Sequence, residues 1–193
     1  MQKADQKLHS LARVAKFMDQ EKLQTVMNAF ILSQFSYCPV IWVFHDRNVN
    51  NKINKIHERA LRIAFKDMSS NFEELLIKAA SVTIHQRNLQ LLTTEIYKTK
   101  HDLNPKFMGK IFIEKNISYS LRCNDHLSVP IPRTNAYGIE TIRYTGHKLW
   151  QSLPLEIKES RTLTEFKRKI KKHHFSDCNC RLCKTYVNNL GFL

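Results

Sequence analysis

The chain is poor in glycine, proline and acidic residues. Its 193 residues include 4 glycines and 5 prolines, although 42% are hydrophobic and can form a core. Because tight turns depend on glycine and proline, this scarcity argues against a β-sandwich and favours helices. The 17 acidic residues face 31 lysines and arginines, which leaves a net charge of +14. A surplus of this size points to an anionic partner, with nucleic acid ahead of an anionic membrane.

The residue groups that carry most enzyme chemistry are also missing. There is no glycine-rich phosphate loop, and no two aspartates are adjacent, so the paired carboxylates that hold two metals in a polymerase palm are absent. The only acidic doublet, Glu73-Glu74, falls in the first turn of a predicted helix, where the helix dipole explains it. No serine or cysteine has a recognisable base and orienting group. The sequence therefore predicts a binding module and not an enzyme.

The cysteines indicate a reducing compartment. Their number, 5, is odd, and the polar, charged stretch Met1–Ser10 does not resemble a signal peptide. We therefore expect an intracellular protein of the nucleus or cytoplasm, with thiols that are free or bound to metal. Cys38 lies in an apolar run and is predicted to be buried as a small hydrophobic residue.

One stretch has the length of a membrane span. Residues 23–44 contain no lysine, arginine, glutamate or aspartate, but they include Gln24, Asn28, Gln34 and Pro39. Because these residues are costly in hydrocarbon, a buried core helix is favoured and no membrane partner is expected.

Apolar spacing and capping residues predict a mainly α fold. The predicted helices cover residues 4–17, a segment after Asp19 that ends near Pro39, and residues 48–66, 71–79, 84–102, 146–152, 155–159 and 163–173. Capping boxes are predicted at Ser70/Glu73, Thr83/Gln86 and Thr162/Glu165. Residues 111–144, which include "SYSLRCNDHLSVPIPRTNAYGIETIRY", lack this period. Loop and short strands are predicted there, with Ile139, Thr141 and Arg143 on one face. The expected organisation is a helical bundle over 1–105, an extension over 106–175 and a cysteine-rich tail over 176–193.

The helix predicted at 48–66 carries a one-sided row of cations. Its apolar face is formed by Ile53, Ile56, Ala60, Ile63 and Ala64. Beside it, within an arc of about 80°, lie Lys52, Lys55, Arg59, Arg62 and Lys66. A solvated face that stabilises a helix mixes charges of both signs, whereas this row has one sign. An ordinary solvated face is the alternative, and contact with nucleic-acid phosphates is the favoured interpretation.

A second basic cluster lies near the end of the chain. In the predicted helix 163–173, Leu163, Phe166 and Ile170 form a narrow apolar stripe. Around it lie the cations Lys167, Arg168, Lys171 and Lys172. The cluster is predicted to bind phosphates, and a nuclear-import patch is the alternative.

Three cysteines are crowded into the tail, at Cys178, Cys180 and Cys183. Three thiolates supply most of a tetrahedral zinc site, and His174, or else His173, would complete it. The spacing of two separate Cys-x-x-Cys pairs is absent. A redox pair and a tail without metal are therefore the alternatives to zinc.

The order of residues over most of the chain resembles the C-terminal part of the reverse transcriptase of jockey-like non-LTR retrotransposons. The resemblance is carried by "ILSQFSYCPVIWVFHDRNVNNKINKIHERALRIAFKD" (31–67), "SSNFEELLIKAASVTIHQRNLQLLTTEIYK" (69–98), "YTGHKLWQSLPLEIKESRTLTEFKRKIKK" (144–172) and "CNCRLCK" (178–184). It implies an RNA-directed DNA polymerase as the parent protein, with its helical thumb over about residues 5–105 and its C-terminal extension afterwards.

The resemblance also implies what this chain would lack. The catalytic aspartates of the family would lie in the polymerase palm upstream, and none maps onto this sequence. We therefore expect a nucleic-acid-binding fragment of a mobile element that begins at an internal methionine and has no catalysis alone. RNA, DNA or a hybrid would be held by its backbone, and the missing palm would be the protein partner. The alternative is a domesticated, free-standing basic RNA- or DNA-binding protein with a small zinc-binding tail.

Overall fold

The chain is mainly α-helical, as the sequence predicts. The computed structural model describes residues 2–39, 43, 47–112, 127, 131, 134 and 141–175. Its helices are α1 Gln2–Val14, α2 Gln20–Met27, α3 Ser33–Ser36, α4 Arg47–Phe65, α5 Phe72–Lys78, α6 Ile84–Lys100, α7 Ile142–Ser152, α8 Leu155–Lys158 and α9 Leu163–Lys172. Within these ranges no helix is both long enough and apolar enough to span a bilayer.

The chain divides into two compact units, an N-terminal unit Met1–Arg87 and a C-terminal unit Asn88–Leu193. The boundary falls inside α6. The predicted boundaries after residues 105 and 175 follow changes of composition and remain predictions. Most of the predicted loop-and-strand segment and the whole of the tail from residue 176 onwards lie outside the described residues.

The N-terminal unit is built around α4, which packs against α1, α2 and α5. The predicted apolar face of α4 is confirmed, since Ile53, Ile56, Ala60 and Ala64 are buried, and Ile63 is half-buried. The partners contribute apolar side chains at helical spacing. They include Leu8 and Leu11 from α1, Leu23 and Met27 from α2, and Leu75 and Leu76 from α5. Removing this apolar surface from water is the main force that holds the unit together.

A π turn changes the register of the helix after Asp19. Phe30 lies at helical spacing from Leu23 and Met27 and should share their apolar face, but it is 53% exposed, with the ammonium of Lys7 5.7 Å from the centre of its ring. Between α2 and α3, Asn28–Leu32 forms the wider turn, so that Ile31 and Leu32 both face the core. Such a turn adds a residue to the helical repeat, which periodicity at 3.6 residues per turn cannot anticipate.

The prediction of a buried Cys38 is wrong, because this cysteine is exposed. The helix that would have carried it into the core ends at Ser36. Cys38 itself has a left-handed φ of 48°, so the apolar run does not continue as one core helix.

The threonine cap of two predicted capping boxes is confirmed, and the third box is displaced. The backbone N–H of Gln86 donates to Thr83 Oγ1 at 3.2 Å, and that of Glu165 to Thr162 Oγ1 at the same distance. The box before α5 is one residue later than predicted. Asn71 Oδ1 accepts from the N–H of Glu74 at 2.8 Å. Ser70 is not the cap because its hydroxyl donates to Asp67 Oδ2 at 2.6 Å.

The short strand predicted across residues 139–144 is wrong where the structure describes it. Thr141 is the N-cap of α7, and its side chain accepts a hydrogen bond from the N–H of Tyr144. The helix predicted to begin at 146 therefore begins at Ile142. Thr141 and Arg143 alternate with apolar and aromatic neighbours as in a strand. In the structure this stretch is instead a helix cap followed by the first turn of α7.

An aromatic core fixes α6, α7 and α9 in the C-terminal unit. Phe166 stacks on Tyr97 with ring centres 4.2 Å apart and on Trp150 at 6.2 Å. The Tyr97 hydroxyl donates to the carbonyl of Ser160 at 2.7 Å, which satisfies its buried polar end. Gly146 lets α7 approach closely, since a Cβ there would lie 2.6 Å from Cε1 of the buried Phe112.

The scarcity of glycine is visible at three helix ends. α4, α5 and α6 each end in a turn whose left-handed residue is not glycine, namely Lys66, Ala80 and Asp102, with φ of 53°, 45° and 53°. At α5 the N–H of Ser81 donates to the carbonyl of Leu76, and that of Ala80 to the carbonyl of Ile77, both at 3.0 Å. This is the Schellman pattern, in which glycine normally takes the left-handed position because a Cβ is strained there.

Ala80→Gly is therefore expected to stabilise the N-terminal unit by roughly 1 kcal/mol, since relief of the left-handed strain exceeds the entropy cost of glycine. Urea unfolding followed by circular dichroism measures the change. Ala79→Gly is the matched control, because Ala79 has φ −79° and ψ −3° and gains nothing from glycine. If the Ala80→Gly variant were no more stable than Ala79→Gly, the left-handed conformation of Ala80 would not be strained.

Candidate nucleic-acid interface

The basic row of α4 faces solvent, beside the buried apolar face of the helix. Lys52, Lys55 and Arg59 are exposed and lie three and four residues apart on one side of the helix. No carboxylate in the described part of the chain forms an ion pair with any of them. Because the adjoining apolar face is buried against α1, α2 and α5, the three cations are held on a fixed support. They can donate hydrogen bonds to phosphate oxygens without breaking an existing ion pair.

Arg62 differs from the other cations of this row. Its Nη2 donates to Glu58 Oε1 at 2.8 Å, and its Nη1 donates to the carbonyl of Met68 at 2.7 Å. The guanidinium thus ties the end of α4 to the following loop and balances the one acidic residue of the helix. The predicted phosphate contact at Arg62 remains a prediction, and it would compete with these bonds.

Lys66 lies just past the end of α4, which closes at Phe65. With its left-handed φ of 53°, it does not continue the helical spacing of the row. Its side chain is exposed, and Nζ lies 3.5 Å from the carbonyl of Met18. An ammonium has three donors, so the remaining two can reach an anion.

The acid beside this region is already neutralised. The Asp67 carboxylate accepts from the ammonium of Lys78 and from the hydroxyls and backbone N–H groups of Ser69 and Ser70. These bonds, first of all the one from Lys78, hold the pKa of Asp67 well below its usual range. Asp67 thus fixes the loop between α4 and α5 and does not pair with Lys52, Lys55 or Arg59.

The second basic cluster lies on α9. Its exposed cations are Lys167, Arg168, Lys171 and Lys172. Lys169 is separate from them, because its Nζ pairs with Glu165 at 2.8 Å and donates to the carbonyl of Glu156 at 2.7 Å. The pKa of Glu165 is lowered, chiefly by the hydrogen bond from Lys169.

Both the face and the end of α9 are anchored. Phe166 and Ile170 are buried beneath the helix. The side-chain amide of Gln90 donates to the carbonyls of Lys171 and His173, at 3.3 and 3.1 Å. The predicted apolar stripe is thus confirmed at Phe166 and Ile170, and the cations project from a helix whose end is capped.

The predicted zinc site cannot be assembled from the described residues. Cys178, Cys180 and Cys183 lie outside them. His174 is described, exposed and two residues beyond the end of α9. Within the ranges that the structure covers, no three metal-ligating side chains come together. Zinc therefore remains a prediction from the cysteine spacing.

The fold and these surfaces define a mainly α protein with basic helices on anchored supports. Comparison with family models, curated proteins and solved structures gave no match. The assignment of function therefore depends on the residues themselves.

Sequence reasoning missed one surface residue near the row, Phe17, whose side chain is 88% exposed. A signal was present in the sequence. At 100° per residue, Leu8, Leu11, Ala15 and Met18 share one face of the first helix, and Phe17 falls on the opposite face.

Proposed function

We propose that the chain binds nucleic acid through phosphate contacts and has no polymerase activity of its own. The observation that carries the proposal is the row Lys52, Lys55 and Arg59, exposed on one face of α4 and unpaired by any described carboxylate. Like charges at this spacing repel one another until an anion neutralises them. Phosphate groups of a nucleic-acid backbone supply such anions in a regular array.

The kind of recognition follows from the side chains on this face. Lysine and arginine that contact phosphates fix position without reading base sequence. The exposed residues of α4 between Lys52 and Arg59 include no aromatic ring that could stack on a base. We therefore propose binding by charge and backbone shape, with little preference for sequence.

We also propose an origin for the chain, as the thumb and C-terminal extension of a jockey-like non-LTR retrotransposon reverse transcriptase. The support is the resemblance of the four segments between residues 31 and 184. A thumb grips the backbone of its substrate, and a one-sided basic helix suits that task. The proposed absence of catalysis follows because the family's catalytic aspartates map to no position of this sequence.

Steep salt dependence is the test of the phosphate contacts. If α4 neutralises three phosphates, it contributes about −2.7 to the slope of log affinity against log salt, or roughly a 40-fold loss between 50 and 200 mM. The exposed cations of α9 would steepen the slope further. Fluorescence anisotropy with a labelled duplex, titrated at several salt concentrations, measures it. A slope near zero would rule out a phosphate interface.

A further inference from the structure

Two large apolar side chains are left in solvent at the C-terminal end of α4. Phe17 is 88% exposed and Met68 is 79% exposed, which are the largest values among the large apolar residues described in the N-terminal unit. Phe17 closes the short 3-10 turn Ala15–Phe17 after α1. Met68 follows the end of α4 by three residues. Neither side chain contributes to the core.

The last two cations of the basic row hold the segments that carry these side chains. Arg62 Nη1 donates to the carbonyl of Met68 at 2.7 Å. Lys66 Nζ lies 3.5 Å from the carbonyl of Met18, the residue next to Phe17. The two segments that carry the exposed ring and the exposed thioether are therefore both held by cations at the end of the row.

This surface is suited to an anionic partner because its acids are already occupied. Asp19 pairs with Lys22 at 2.9 Å, and Glu58 pairs with Arg62 at 2.8 Å. Asp67 is bound by Lys78. Lys66 keeps donors for a phosphate, and Phe17, next in the chain to the Met18 carbonyl that Lys66 contacts, offers an exposed ring on which a base can stack. A cation next to an exposed aromatic ring is the combination that single-stranded nucleic-acid sites use.

We propose that Phe17 stacks on an unpaired base of a nucleic acid whose phosphates follow Lys52, Lys55 and Arg59 and reach Lys66. This inference rests on the proposed function, and it adds that the end of α4 selects a single-stranded segment. In this arrangement the cations of α4 contact the phosphates of the paired segment. The ring of Phe17 stacks on the first unpaired base that follows it. Met68 gives this surface a flexible apolar neighbour that can adapt to different bases.

The test compares a labelled blunt duplex with the same duplex carrying an unpaired extension. Fluorescence anisotropy at fixed salt gives the Kd of the full chain for each. The chain should bind the extended duplex more tightly. Phe17→Ala should weaken binding to the extended duplex roughly tenfold, because stacking on one base is lost, and leave the blunt duplex unchanged.

Three further variants make the outcome specific. Phe17→Leu keeps an apolar side chain without a ring and should lose the preference, which also covers any folding defect of Phe17→Ala. Phe17→Trp should keep it. Tyr37→Ala removes another exposed aromatic side chain, one that lies at the end of α3, and should change nothing.

The results separate this inference from the proposed function. Equal binding of both duplexes by the unaltered chain, or a Phe17→Leu variant that retains the preference, would overturn the stacking surface alone. Unchanged binding after Lys52, Lys55 and Arg59 are all changed to glutamate would overturn the phosphate interface as well.

Discussion

Changing Lys52, Lys55 and Arg59 together to glutamate is expected to weaken duplex binding by roughly a hundredfold or more at about 0.1 M salt. Each cation that neutralises a phosphate releases about one counterion, which contributes about 1 kcal/mol at this salt concentration. Three new carboxylates add repulsion from the backbone. The measurement is the Kd for a labelled duplex. The slope of log affinity against log salt concentration should become shallower by about 2.7 in the variant.

The matched control places the same charge change elsewhere in the N-terminal unit. Lys3, Arg13 and Lys16 are exposed cations outside α4, and their replacement by glutamate changes the net charge equally. A loss of affinity equal to that of the α4 variant would mean that binding follows net charge alone. Arg62 is left unchanged in both, because its bonds to Glu58 and the Met68 carbonyl would add a folding defect to the loss of charge.

Lowering the pH from 7 to 4 is expected to cost the N-terminal unit about 3 kcal/mol of stability through His57 alone. This side chain on α4 is 1% exposed, and its ring meets that of Phe72 edge-on at 5.6 Å. Neither ring nitrogen has a hydrogen-bond partner in the described structure. Burial, followed by the positive charge of Arg87, lowers the pKa of His57 from 6.5 to about 4.

Stability falls with pH because the unfolded chain takes up the proton at a higher pH than the folded chain. The unfolded chain binds a proton at this histidine below about pH 6.5, whereas the folded chain resists until about pH 4. The contribution of His57 to the stability of the folded chain is therefore complete above pH 6.5 and is lost as the pH falls from 6.5 to 4. Asp67 acts in the same direction at lower pH, since its pKa is also held below its usual range.

Urea unfolding over a series of pH values measures the effect. His57→Leu removes the titrating group and the unsatisfied nitrogens. Between pH 7 and 4 the variant should therefore lose about 3 kcal/mol less stability than the unaltered chain. His9→Leu, at an exposed histidine on α1, is the control for removal of an imidazole. If the stability of His57→Leu fell with pH as steeply as that of the unaltered chain, the lowered pKa of His57 would be contradicted.

Local patterns predicted much of the fold, where each residue's role depends on near neighbours in the chain. The core face of α4 followed from apolar residues at helical spacing, and Ile53, Ile56 and Ala60 are buried as expected. The cap at Thr162 followed from a hydroxyl three residues ahead of Glu165. Both depend on helix geometry within a few residues, which the sequence specifies directly.

Local patterns failed where a distant or competing bond decided the outcome. Ser70 has the spacing of a cap, but the nearby carboxylate of Asp67 takes its hydroxyl, so Asn71 caps α5 instead. Phe30 has the spacing of a core residue, but the π turn directs it to solvent. Competing hydrogen bonds and changes of helical repeat are invisible to a periodicity of 3.6 residues.

The sequence by itself determined a helical, basic protein and the row of cations on α4, because composition and periodicity act along the chain. Only the tertiary structure decided which of those cations remain available. Lys52, Lys55 and Arg59 project into solvent, whereas Arg62 is bound to Glu58 and the Met68 carbonyl. It also placed the Met18 carbonyl, next to Phe17, within 3.5 Å of the ammonium of Lys66, because contacts between distant segments form only when the helices pack.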